Sequence, residues 1–119
     1  MRDELEKRVK ENVVLFIKSS SDINKVANLA RQMAHQCIHK EIKINFWFWD
    51  TSEDTDINRP VMRKFFDEVE EKNIGTIVVR TLKDISGSEI EREAFLETML
   101  QHGIGIYLYD EGCFATIEC

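Results

Sequence analysis

The amino-acid sequence predicts an α/β fold: a three-layer sandwich with a mainly parallel sheet of four or five strands. One short run, Val13-Val14-Leu15-Phe16-Ile17, is β-branched and aromatic and apolar on both faces, as strands buried between helical layers are, and Thr76-Ile77-Val78-Val79 reads as a further strand. Three longer segments repeat apolar residues at three- and four-residue spacing, the mark of helices with one buried face. Strand and helix patterns alternate along the chain, and that order favours parallel strands joined by crossover helices.

A charged leader, residues 1–12, is expected to precede a single domain over 13–119. The first strand is followed by Ser19-Ser20-Ser21-Asp22, a loop that offers helix N-caps. From Ile23 to His39 the residues Ile23, Val26, Ala27, Ala30, Met33, Ala34, Cys37 and Ile38 form one apolar stripe. Ile42 to Trp49 reads as the second strand, and Asp50 to Asn58, polar and without periodicity, as a loop. Arg59-Pro60 opens the next helix, proline being tolerated in a first turn; Val61, Met62, Phe65, Phe66 and Val69 supply its stripe, and Asn73 or Gly75 ends it. After the strand at Thr76–Val79 comes the loop Thr81 to Gly87. Ser88 with Glu91 makes a capping box for a helix bearing Ile90, Phe95, Leu96, Met99 and Leu100. Gly103 ends that helix, Ile104 to Tyr109 is a strand, Asp110-Glu111-Gly112 turns, and Phe114 to Ile117 adds a short edge strand.

With 119 residues the chain can bury a core without disulfides or metal. The 22 Asp and Glu against 16 Lys and Arg give a formal net charge of −6, which excludes binding nucleic acid by bulk attraction and leaves only local phosphate contacts. Cys37, Cys113 and Cys119 are an odd number without zinc-ligand spacing, the usage of a reduced protein. No apolar run approaches the ~20 residues of a membrane span, and the leader lacks the apolar segment of a signal peptide. A cytoplasmic protein without a membrane partner is expected.

In parallel α/β sheets, ligands bind beyond the carboxyl ends of the strands, near the point where strand order reverses. That rule selects the loops Lys18–Asp22, Asp50–Asn58, Thr81–Gly87 and Asp110–Gly112. None carries a GxGxxG or GxxxxGK[ST] fingerprint, so no nucleotide cofactor is expected. Asp50, Glu53, Asp54 and Asp56 could offer oxygens to a divalent cation, but they lack the glycine and final glutamate of a calcium loop and read as a solvated acidic loop. His35, His39 and His102 have no partner at ligand spacing, so no metal is expected. Lys18-x-Ser20 is more suggestive. A serine between a strand end and a helix start, beside a cation and unpaired backbone N–H groups, suits phosphate, although Ser20 and Ser21 could simply cap the helix.

The order of these residues resembles the catalytic domain of the serine recombinases, the resolvase/invertase family. Phe16-Ile17-Lys18-Ser19-Ser20-Ser21 stands where that family has aromatic-x-Arg-x-Ser-[Ser/Thr], placing Ser20 at the nucleophile position. Trp49-Asp50 and Arg59-Pro60 keep the family's spacing, and Val78 to Gly87 is the counterpart of its third strand and Leu-Asp-Arg-Leu-[Ser/Gly]-Arg loop. Leu96–Tyr109 and Asp110-Glu111-Gly112 extend the likeness over residues 13 to 113. The resemblance implies a resolvase-like domain for DNA recombination and strand exchange. Ser20 would attack a DNA phosphodiester and form a phosphoseryl link, with Lys18 and Arg59 as phosphate-stabilising cations and Asp50 orienting an arginine or loop. It implies neither metal nor cofactor.

The sequence departs from the family pattern at Lys18, which replaces an arginine, at Lys83-Asp84 in place of Asp-Arg, and at Gly87 in place of a later arginine. Lysine keeps the charge but loses the bidentate fork, so the departures describe a degenerate active site. The family's long helix and DNA-reading module do not follow within these 119 residues, so DNA is expected as partner only if the site is active. Two further functions stay open: a recombinase-like module that has lost catalysis and binds a protein partner or a second copy, and an unrelated α/β protein binding phosphate or a metabolite through Lys18 and Ser20. Exposed apolar candidates for a partner are Phe114, Ile117 and part of Phe46–Trp49.

Overall fold

The chain begins its described course by pairing. In a computed structural model that describes residues 11–116, strand β1, Asn12–Lys18, lies between β2, Phe46–Asp50, and β3, Ile74–Val79. Helix α1, Ile23–Ile38, joins β1 to β2; α2, Pro60–Glu71, joins β2 to β3; α3, Glu89–Gln101, joins β3 to β4, Gly105–Leu108. The sheet order is β2-β1-β3-β4-β5, with the first four strands parallel and β5, Cys113–Phe114, antiparallel to β4. Residues 1–10 of the leader, together with Ile117 and Cys119, lie outside the described residues.

Alternation along β1 sorts the core into two layers. Val14 and Phe16 face α2 and α3, where they meet Met62, Phe65, Ile77, Val79, Phe95 and Ile106. Leu15 and Ile17 face α1 and meet Val26, Met33, Cys37, Val78 and Tyr107. Phe16, Phe48 and Phe65 form an aromatic knot on the first face, with ring centroids 4.8 to 5.8 Å apart. Edge-to-face pairs in that range add to the burial gain. A strand apolar on both faces thus sits at the centre of a three-layer sandwich, as its composition predicts.

Because β1 leads to β2 on one side and the chain then returns to β3 on the other, the strand order reverses beside β1. Right-handed crossovers in opposite directions put α1 on one face and α2 with α3 on the other. The carboxyl ends of β1, β2 and β3 therefore converge at the reversal point, with Lys18 and Asp50 directly opposite in the β1–β2 register.

Several boundaries differ from expectation for local reasons. β1 starts at Asn12, inside the expected leader, because Asn12 Nδ2 donates to the Lys72 carbonyl at 2.6 Å. β2 starts at Phe46 rather than Ile42: Glu41 takes a left-handed φ of 62°, and the Ile42 N–H is spent on the Cys37 carbonyl that closes α1. Asn45 Oδ1 then accepts from the Val13 N–H, and regular pairing begins one residue later. Asn73, at φ 55°, ends α2, while Gly75 lies inside β3. Ile90 is 79% exposed rather than part of the stripe of α3, and Trp47 is 45% exposed on edge strand β2.

Candidate active site

Lys18, the last residue of β1, directs its ammonium towards β2. Nζ donates to the carbonyls of Ser52 and Asp54, the latter at 2.8 Å, and lies 3.6 Å from Asp50 Oδ2. Asp50 is fully buried at the end of β2. Its Oδ1 accepts from the Ser52 hydroxyl at 2.7 Å and the Ser52 N–H at 2.9 Å, while Oδ2 pairs with Arg59 Nε at 2.9 Å. Burial alone would raise the Asp50 pKa, but the Ser52 hydrogen bonds and the Arg59 contact outweigh it and hold the carboxyl below its ordinary value.

Arg59, just before Pro60 at the start of α2, is buried together with Asp50. Besides Asp50, its guanidinium donates to the carbonyls of Asp56 at 2.9 Å, Ile85 at 2.7 Å and Asp84 at 2.9 Å. A guanidinium has five N–H donors in a fixed fork, so Arg59 can reach the β2–α2 loop, the end of β2 and the β3–α3 loop at once. It clasps all three.

The β3–α3 loop is bound to the β2–α2 loop a second time. Gly87 N–H donates to the Thr55 carbonyl at 3.0 Å, and Glu91 Oε1 accepts from the Ser86 hydroxyl at 2.6 Å and the Ile57 N–H at 3.2 Å. Glu91 thereby leaves the capping box half made: Ser88 Oγ accepts from the Glu91 N–H, but the Glu91 carboxylate turns to Ser86 and Ile57. The approach is tight for a side chain at position 87, whose Cβ would stand 3.0 Å from Thr55 Oγ1 and push the Thr55 side chain aside. Glycine, where the resembled family has an arginine, suits this contact between loops.

Arg80 received no role from the sequence. One residue past β3, it donates from Nε to Asp84 Oδ2 at 3.1 Å and from Nη2 to the Lys18 carbonyl. The Leu82–Asp84 turn, a single 3₁₀ turn opened by the Thr81 hydroxyl on the Lys83 N–H, brings Asp84 back over the strand end. Burial raises the Asp84 pKa; Arg80 and Lys18 oppose that shift, and Asp110 adds to it. A signal for Arg80 did exist, since a cation one residue beyond a central parallel strand falls at the ligand edge of the sheet.

Ser20 stands apart from this network. Ser19 is anchored on both sides, its N–H to the Asp50 carbonyl at 2.9 Å and its carbonyl to Trp49 Nε1 at 2.9 Å. The cap of α1 is Asp22, whose carboxylate accepts from the Lys25 N–H at 3.0 Å, so neither Ser20 nor Ser21 caps the helix. Among the described residues the exposed Ser20 hydroxyl has no hydrogen-bond partner. The structure therefore gathers Lys18, Asp50 and Arg59 into one bonded cluster, adds Arg80 and Asp84 to it, and leaves Ser20 beside it as an open hydroxyl on the next loop.

The other candidates serve local structure. Asp54 and Asp56 each accept the backbone N–H two residues on, at 3.0 and 2.8 Å. His35 and His39 lie edge to face at 5.3 Å, and His102 Nδ1 meets the Thr98 carbonyl at 2.8 Å. Among the described residues no group of three or more His, Cys, Asp or Glu is placed to hold a metal ion, and none of the described helices is long and apolar enough to cross a membrane.

The fold has counterparts in solved structures. The chain is similar to the N-terminal catalytic domain of TP901-1 integrase, with a TM-score of 0.67 and 16% identity over 87% of this chain and 81% of that one. It is also similar to the C-terminal catalytic domain of ISC1926 TnpA, an IS607-like serine recombinase, with a TM-score of 0.64 and 17% identity over 83% of this chain and 67% of that one. No family model matches the sequence, and no curated protein matches it. The fold is that of the serine recombinase catalytic domains.

Proposed function

We propose that the chain is a recombinase-type phosphoryl-transfer domain acting on DNA, with Ser20 as nucleophile. The observation that carries this reading is the Ser20 hydroxyl: exposed, excused from capping by Asp22, and two residues past the end of the central strand, the sheet end where Lys18, Arg59 and Arg80 are gathered. In the reaction Ser20 Oγ forms a bond to phosphorus and gives up its proton, the bond from phosphorus to the 3′ oxygen breaks, and that oxygen takes up a proton. The 5′ end is then held as a phosphoserine ester, and the reverse attack by a 3′ hydroxyl rejoins a strand.

Charge building on the phosphate oxygens during attack is stabilised by fixed cations. Lys18 and Arg59 are proposed for this role, with Asp50 as the positioning residue that holds Arg59 through a 2.9 Å ion pair. Three cations, Lys18, Arg59 and Arg80, are thus gathered within an acidic chain, paired with Asp50 and Asp84 and with Asp110 close enough to act on Asp84.

A second reading, a recombinase-like fold that serves as an interaction or regulatory module without catalysis, is favoured by one observation. All three cations already have protein partners, and one of them is the carboxylate of Asp84. The two readings part on a single assay. Incubation with supercoiled DNA followed by denaturant is expected to yield a protease-sensitive protein–DNA adduct that Ser20→Ala abolishes. No adduct from the wild-type chain, or an equal yield from Ser20→Ala, supports the interaction module instead.

A further inference from the structure

Two residues at the end of β3 form a device that neither the sequence motifs nor the proposed reaction assigns. Arg80 and Asp84 are paired at 3.1 Å, and both remain solvent-accessible, with 31% and 17% of their side chains exposed. Such a pair is unlike Arg59–Asp50, in which neither side chain is exposed. Arg80 also touches the backbone two residues before Ser20, through the Lys18 carbonyl. Its fork is thus fixed at the base of the Ser20 loop, on the side of the loop opposite Trp49 and β2. Asp84 returns from the Leu82–Asp84 turn to cover that fork, and its backbone carbonyl is separately held by Arg59, so the turn stays in place whether or not the carboxylate does.

Asp84 meets the guanidinium through one carboxylate oxygen, at Nε, a place that a phosphate oxygen can take as well. We propose that Arg80 is the guanidinium that meets a phosphate bound at the Ser20 loop, and that the Asp84 carboxylate occupies that phosphate's place until displaced. The inference rests on the reading of this loop as a phosphate site and supplies its regulation: an internal counter-ion sets the affinity. It also accounts for an aspartate at position 84. The positive charge comes from the strand end, and the loop residue that faces it acts as its competitor. The alternative is that the pair is only a tether between β3 and its turn.

The two possibilities respond differently when the pair is broken from either side. A tether loses the same contact in Arg80→Gln as in Asp84→Asn. A guarded anion site gains affinity when the carboxylate is neutralised and loses it when the guanidinium is. The test titrates inorganic phosphate into the ¹⁵N-labelled chain and follows the amide signals of residues 19–22. Asp84→Asn is expected to tighten phosphate binding by on the order of tenfold and Arg80→Gln to weaken it by a similar factor. The double variant is expected to bind no more tightly than Arg80→Gln alone, since the competitor has nothing left to guard.

Unchanged affinity in Asp84→Asn, or a gain that persists in the double variant, overturns the proposal. If Arg80→Gln does not fold, Arg80→Lys keeps the charge without the fork and is expected to lose most of the gain produced by Asp84→Asn; full retention of that gain overturns the role of the guanidinium. The phosphate titration reads binding and the DNA-adduct assay reads transfer to Ser20, so failure of the phosphoryl-transfer reading and failure of this one are seen in separate experiments.

Discussion

The loop that carries Ser20 and the two loops that face it are held by different means. From Ser19 to Asp22 the chain is tied by backbone contacts to β2, one indole N–H and a helix cap, and the Ser20 hydroxyl remains outside all of them. Across the sheet end, the β2–α2 and β3–α3 loops are stitched by Arg59, Asp50, Glu91, Ser86 and the Gly87–Thr55 contact, with Arg59, Asp50 and Ser86 sheltered from water. The first loop keeps a reactive group accessible, and the second pair holds charges in place. A site for phosphoryl transfer needs both, because fixed dipoles and charges stabilise a transition state best when they need not reorganise.

That contrast predicts a graded series of substitutions. Arg59→Ala should cost most, about 3–5 kcal/mol in denaturant unfolding, because it strands Asp50 and frees three carbonyls from their donor. A loss under 1 kcal/mol would show that the loops do not depend on the clasp. Asp50→Asn should cost about 2–4 kcal/mol by leaving the buried guanidinium without its counter-charge.

The Asp50 substitution also has a pH signature. The Asp50 pKa is lowered in the fold, so its contribution is complete above the ordinary aspartate value of about 3.9 and is lost as pH falls through the folded value. Wild type and Asp50→Asn should therefore converge in stability as the pH falls below about 4. Parallel curves down to acid unfolding would contradict the assignment. Asp84, raised by burial, works in the opposite sense: its contribution is present below its unfolded pKa and is lost as pH rises through the folded one.

Smaller effects sit at the edge of the stitched pair and on the free loop. Glu91→Ala should cost about 1–3 kcal/mol, since it leaves the buried Ser86 hydroxyl and the Ile57 N–H without their acceptor. Ser20→Ala should change stability by no more than about 0.5 kcal/mol, the hydroxyl having no partner to lose. A large destabilisation by Ser20→Ala would mean that the hydroxyl is structural after all.

The body of the fold was legible because burial leaves a mark on every residue of an element. The run Val13–Ile17 can only be a two-faced strand, and the stripe from Val26 to Cys37 names the face that α1 buries. The loops were legible as places and less so as bonds. Nothing in the letters Asn58-Arg59-Pro60 shows that three carbonyls from two loops converge on the guanidinium, because backbone carbonyls carry no sequence signal. For the same reason Glu91 looked like half of a capping box until Ser86 and Ile57 were seen to lie nearer its carboxylate. The Ile42–Trp49 strand starts four residues too early in the sequence reading because the left-handed turn at Glu41 needs no glycine there. Arg80 carries no motif signal of its own, because the family likeness runs through the loop residues Lys83 and Asp84 while the strand end itself supplies the cation.

The central claim is that Ser20 Oγ is the atom that takes the phosphoryl group. Trypsin releases Ser19 to Lys25 as one peptide, bounded by Lys18 and Lys25. Nuclease trimming of a protein–DNA adduct to its last nucleotide, followed by fragmentation of that peptide, locates the added mass. The account predicts the nucleotide on Ser20. Its attachment to Ser19 or Ser21, or to any other peptide of the chain, would contradict it.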